Sequence, residues 1–110
     1  MRILEPYKDY FWEFYNSLGK MEKEKVDYVL QIIISVARVP AKFLKHVEDG
    51  IYEIRIGTGS NIYRIFSFFD EGKLVILLHG IQKKTQKLLR KEIEKAKKLR
   101  RSYYVDKKSK

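Results

Sequence analysis

The chain has no cysteine, and only two prolines, two histidines and one tryptophan in 110 residues. No disulfide can form and no thiolate can hold zinc. His46 and His79 are far apart and lack metal-ligand spacing, so neither a metal nor a cofactor is expected. Long apolar runs are missing too. Nothing approaches the roughly 20 residues of a membrane span, and the opening MRILEPYKDY lacks the apolar core of a secretion signal. A cytoplasmic protein with no membrane association is expected. Acidic residues are also in deficit: 14 Asp+Glu against 24 Lys+Arg leave a net charge of +10. Such an excess favours a polyanionic partner, nucleic acid first and an acidic protein second.

What is present reads as one α+β domain over residues 1–104, with 105–110 as a disordered basic tail. Met1–Leu4 suggests an edge strand. Pro6 suits the first turn of a helix, and Tyr7, Tyr10, Phe11, Phe14, Tyr15 and Leu18 continue it at helical spacing to a stop at Gly19. A second helix is expected over Lys20–Val39, with Val26, Val29, Leu30, Ile33 and Ala37 on one face and Pro40 ending it. The two form a helical hairpin. Ala41–Gly50 reads as a loop. Three strands follow, Ile51–Ile56, Asn61–Phe69 and Lys73–Ile81, with Gly72 placed for a positive φ in the last hairpin. Thr85 is the candidate N-cap of a final helix to about Tyr104, with an apolar stripe of Leu89, Ile93, Ala96, Leu99 and Tyr103. The expected order is βααβββα.

Each meander strand carries a residue that an ordinary core strand avoids: Arg55 in IYEIRI, Arg64 in NIYRIFSFF and His79 in LVILLHG. An unpaired charge is costly to bury, so these groups must reach solvent or meet an anion. A wet sheet face lined by Arg, His and Lys would suit phosphate. Arg55 could equally face solvent and pair with Glu53 or Glu48, and His79 could be a satisfied buried histidine. From Lys83 to Arg101 the chain holds ten Lys/Arg against Glu92 and Glu94.

Three segments in order, Tyr52-Glu53-Ile54-Arg55, Tyr63-Arg64-Ile65-Phe66 and Gly80-Ile81-Gln82-Lys83-Lys84-Thr85, resemble the phage-derived, HigB-like branch of the RelE/ParE superfamily. Its members are toxins of bacterial type II toxin–antitoxin systems. The resemblance implies a RelE-like fold, in which a twisted, mainly antiparallel sheet packs against an N-terminal helical hairpin and a C-terminal helix. It also implies a cognate antitoxin of the helix-turn-helix type, and no direct DNA reading by this chain. HigB-like and RelE-like members are mRNA interferases acting on translating ribosomes, whereas ParE-like members inhibit DNA gyrase. A basic RNA- or ribosome-binding domain without catalysis is a third reading.

Metal-independent RNA cleavage needs charge stabilisation at the phosphorane and proton transfer at the 2′- and 5′-oxygens. Arg55 and Arg64 are the candidates for the first role, because a guanidinium grips phosphate oxygens in pairs. A lysine crowded by cations loses preference for its charged form. That makes Lys84, ahead of Lys83, a candidate acid or base, with His79 as the alternative. HigB-like members elsewhere use histidine and acidic residues, a set this chain does not match. Lys42, Lys45, His46, Lys83 and Lys87 are expected to contact RNA phosphates, and Tyr104 to stack on a base or pack the last helix.

Overall fold

A computed structural model describes residues 1–82 and 85–109; the side chains of Gln86 and Lys87 lie outside that description. The elements are β1 (Ile3–Pro6), α1 (Tyr10–Asn16), α2 (Lys20–Ser35), β2 (Leu44–Glu48), β3 (Ile51–Thr58), β4 (Asn61–Phe69), β5 (Leu74–Gln82) and α3 (Gln86–Lys108). The class is α+β. Five strands form one open sheet in the order β1-β5-β4-β3-β2. All neighbours are antiparallel except β1, which runs parallel to β5.

Alternation along β3 and β4 sorts side chains to two faces. Ile54, Ile56, Tyr63 and Ile65 pack with Phe11, Val26, Val29 and Ile33 of the helical hairpin. Ile51, Phe66 and Phe68 pack on the opposite face with Ile93, Ala96 and Leu99 of α3. Both faces are therefore covered, and the expected wet face is largely closed: Arg64 and His79 are 6% and 5% exposed.

Four boundaries differ from the sequence reading, each for a local reason. Ala41–Gly50 is not simply a loop, because LKHVE pairs antiparallel with β3 as β2. Asp49 and Gly50 both have positive φ, 55° and 79°, as a tight hairpin turn demands. Lys45 and His46 mask the hairpin signal, yet charge is normal on an edge strand. Pro6 closes β1 rather than opening a helix. The Tyr7 N–H bonds the Leu77 carbonyl at 2.9 Å, which holds the chain on the sheet, and α1 starts only at Tyr10. α2 stops at Ser35, and Ala37 is exposed. The Arg2 guanidinium collects the carbonyls of Ile33, Val36 and Ala37 at 3.1, 2.7 and 2.9 Å, satisfying groups a helix end leaves orphaned. Finally, α3 runs on to Lys108. Tyr7 donates to Asp106 at 2.5 Å and Lys107 pairs with Asp70 at 2.8 Å, which anchors its last turn.

Other features agree with expectation. Thr85 caps α3, its hydroxyl accepting from the Leu88 N–H at 3.4 Å, and Gly72 has φ of 52°. Gly80 has a separate purpose. A Cβ there would come within 2.4 Å of the Phe14 ring carbons, so the missing side chain lets α1 lie close on β5. Gly80→Ala is expected to lower stability by about 1–3 kcal/mol. Urea midpoints check this, and Phe14→Leu in the same chain should restore part of the loss.

Candidate functional site

The register of the central strands assembles the site. Arg55 lies directly opposite Arg64, and Arg64 opposite Ile81. One step along, Lys45 lies opposite Glu53, and Glu53 opposite Phe66. Directly opposed residues share a face, so Lys45, Glu53, Arg55 and Arg64 all stand on the α3 side. Two adjacent guanidinium groups repel, and Glu53 supplies the anion between them. Arg64 Nη1 donates to both Glu53 oxygens at 2.8 and 2.7 Å, and Arg55 Nε reaches the same carboxylate at 3.1 Å.

Exposure divides the roles within this trio. The side chains of Glu53 and Arg64 are 3% and 7% exposed, that of Arg55 31%. Two positive charges against one negative leave one in excess, and Arg55 presents it to solvent. Arg64 Nε is buried with no partner among the described residues. The group is thus a preorganised cationic pair able to receive an anion, the arrangement that stabilises charge developing on phosphate.

His79 is aimed by a bulge. Ile65 faces Gly80 while Ser67 faces Leu77, so β5 carries one residue more than β4 over this stretch. Leu78 and His79 both turn toward α3 in consequence. The imidazole stacks on Phe66 with ring centroids 4.9 Å apart, and Nε2 lies 3.1 Å from Glu92 of α3. Burial, with the Lys95 ammonium nearby, pushes His79 down to about 4. Glu92 alone would favour the imidazolium, but it is a quarter exposed and screened, so burial prevails. The ring is neutral at pH 7, which assigns the Nε2 proton to the Glu92 bond. No hydrogen bond joins His79 to either arginine among the described residues.

The remaining candidates scatter. Lys42 lies near Arg55, since its neighbour Phe43 accepts the Arg55 N–H at 2.8 Å. His46 faces the helical hairpin beside Tyr52 and accepts the Gly50 N–H at 3.1 Å, so it serves the β2–β3 turn. Tyr104 donates to Asp70 at 3.2 Å. Asp70 follows the far end of β4, six residues and roughly 20 Å along the strand from Arg64, so Tyr104 does not join the arginines. Lys83, Lys84 and the Lys87 side chain lie outside the described residues. The α3 helix is fixed over this face by Glu48, gripped by Arg90 at 2.6 Å through both oxygens and by Lys97. These bonds hold the Glu48 carboxyl down at about 2. Among the described residues no cluster of three His, Cys, Asp or Glu is placed to hold a metal ion.

Residues 13–101, which include Glu53, both arginines, His79 and most of α3, match the family described as Phage derived protein Gp49-like (DUF891). The chain belongs to the Gp49-like family. That family belongs in general to the RelE/ParE-like toxins of toxin–antitoxin systems, and is associated in general with toxin endoribonucleases. No curated protein matches the sequence significantly.

In this Gp49-like chain the residue that sequence reasoning undervalued is Glu53. Its signal was the Glu-x-Arg spacing of Tyr52–Arg55, which puts acid and base on one face of a strand. Glu53→Gln should destabilise the fold by about 3–5 kcal/mol, because it leaves a buried guanidinium without its counter-ion. Glu53→Leu with Arg64→Met should be more stable than either change alone, as thermal unfolding would show.

His79 makes a separate, pH-dependent contribution. Its folded value lies below the ordinary 6.5, so only the unfolded chain takes up the proton as pH falls. This stability is intact above about pH 6.5 and is lost toward pH 4. Between pH 7.5 and 4.5 the parent chain should lose about 2 kcal/mol more than His79→Gln, read from urea titrations at both pH values.

Proposed function

We propose that this chain is the toxin of a type II toxin–antitoxin pair of the HigB-like kind. Its activity is endoribonucleolytic cleavage of mRNA on translating ribosomes in the cytoplasm, without a metal, and it is held in check by a cognate antitoxin. The observation that carries the reading is the cationic excess at Arg55 and Arg64, two arginines on paired strands ordered by one buried carboxylate. In this reading Arg55 meets the scissile phosphate. Arg64, fixed from behind by Glu53, contributes field and position. Lys45, on the same face and exposed, extends the phosphate track.

Proton transfer falls to a group other than His79. A neutral, buried imidazole stacked on Phe66 and bonded to Glu92 holds α3 in place. Lys84, with Lys83 beside it, is the candidate acid or base, and Lys87 a further phosphate contact. Tyr104 packs the helix rather than a base. The antitoxin, of helix-turn-helix type in this reading, would bring acidic or amphipathic sequence to neutralise the cationic surface. ParE-like gyrase inhibition needs no such convergent arginine pair.

Arg64 is an unsuitable probe, since its removal strands Glu53. Arg55→Ala is the clean one: a part-exposed ion pair contributes within about 1 kcal/mol, whereas one lost charge-stabilising donor costs about 100- to 1,000-fold in rate. Induced expression of the parent chain should arrest growth and yield new mRNA 5′ ends within translated frames, lost when translation is blocked. Arg55→Ala should abolish both at near-parental Tm. Arrest with intact messages would move the activity to gyrase. Undiminished cleavage by folded Arg55→Ala would refute the assigned role.

A further inference from the structure

On the outer surface of the helical hairpin, apart from the arginine pair, aromatic rings and lysines interleave. Tyr28 of α2 is 55% exposed. Its ring centroid lies 6.5 Å from that of Phe43, nearly perpendicular to it. Lys25 Nζ sits 5.1 Å from the centre of the Tyr28 ring, and Lys42 Nζ 4.9 Å from that of Phe43. Phe43 is half-buried against the hairpin core, which makes the floor rigid. The Tyr28 hydroxyl has no hydrogen bond among the described residues, so the exposed ring is not there to satisfy a polar contact.

A cavity of about 370 Å³ adjoins this patch, between the start of α2 and the β3–β4 turn, lined in part by Glu22, Lys25, Thr58 and Asn61. Thr58 Oγ1 is buried and has no hydrogen-bond partner among the described residues. Gly57 and Gly59 leave the turn's backbone open, since a Cβ at either would meet nothing within 4 Å. The turn joins the end of β3 that carries Arg55 to the start of β4 that carries Arg64. The patch and the arginine pair thus sit at one end of the sheet, on opposite faces.

We propose that the Tyr28–Phe43 patch, with the adjoining cavity, binds a nucleotide of single-stranded RNA. The base stacks on Tyr28 and the flanking phosphates meet Lys25 and Lys42. This deepens the RNA reading above and rests on it, by giving the strand a second contact around the sheet end from the scissile phosphate. Charge selects the occupant: two ammonium groups beside an exposed tyrosine ring and its half-buried Phe43 floor match a base between phosphates, the combination that single-strand binders use. An exposed cation–π contact is weaker than base stacking. Lys25, on a flexible stem, can therefore leave the ring for a phosphate as a base arrives.

The test is fluorescence anisotropy of the full chain with a labelled oligouridine, and with a labelled RNA duplex of equal length, at low salt. Tyr28→Ser should bind the single strand about tenfold more weakly and the duplex as the parent does. Tyr28→Trp should restore single-strand binding, and an unchanged Tm would show that the fold is intact. Equal single-strand binding by parent and Tyr28→Ser would overturn the proposal and leave the patch to a protein partner. An equal loss on single strand and duplex would overturn it as well. If the parent bound neither RNA, the RNA reading itself would fall, so the two failures are distinguishable.

Discussion

The buried guanidinium of Arg64 constrains the rest of the molecule. It lies on β4, the central strand, where an ion costs several kcal/mol to desolvate unless a counter-ion sits within reach. Glu53 meets that need from β3 at 2.7 Å, and the contact exists in only one register. A slip of one residue would carry Glu53 and Arg55 to the hairpin face, among Ile33, Val29 and Phe11, and put Ile54 and Ile56 against α3. The ion pair and the apolar alternation therefore specify the same alignment. Once β3 and β4 are aligned, the bulge in β5 has a fixed position, and His79 follows onto Phe66.

The same carboxylate makes it possible for a basic helix to lie over a face that carries arginines. α3 contributes an apolar stripe of Leu89, Ile93, Ala96, Leu99 and Tyr103, too narrow to hold 23 residues alone. Carboxylates supply the rest. Glu48 and Asp49 hold Arg90, Lys97 and Arg100 near one end. Asp70 and Asp106 hold Tyr103, Lys107 and Tyr7 at the other. Much of the scarce acid of the sequence is used in docking this helix, and the unmatched cations are left outside. Net charge and architecture are thus linked: Glu48, Asp49 and Asp70 engage cations and hydroxyls of α3, and the excess of Lys and Arg is left to solvent.

Much of the fold was legible because its signals are local. Alternating β-branched and aromatic residues marked β3, β4 and β5, Thr85 marked the start of α3, and Gly72 marked a turn. What escaped were features whose cause lies far away in sequence. Arg2 ends α2 from more than thirty residues off. Asp70 and Tyr7 extend α3 beyond the composition of its tail. β2 hid because an edge strand with Lys45 and His46 shows little apolar pattern. At the site, Arg55 and Arg64 stood out as charges in apolar strands, and the structure brings them together. The burial of Arg64 did not show, since it depends on α3 crossing the face. His46 and Tyr104 belong with a turn and a helix anchor instead, which charge or aromaticity alone cannot reveal.

The chemistry the arrangement supports is unequal in its parts. Charge stabilisation is well provided, by two arginines in fixed register with a buried carboxylate behind them, so little reorganisation is needed when an anion arrives. Proton transfer is poorly provided among the described residues, because the one nearby imidazole is neutral, buried and engaged with Glu92. A site of this kind gains most from a substrate delivered in line for attack, since orientation can replace a large part of what acid–base groups would contribute. An mRNA held in a ribosome is such a substrate, and a surface with ten surplus positive charges is suited to dock on ribosomal RNA through phosphate contacts that position without reading sequence. Under the proposed function, the cationic exterior and the sparse proton-transfer groups have a single explanation: the surface that would bring the chain to a ribosome-held message would also make up for the chemistry its own side chains lack.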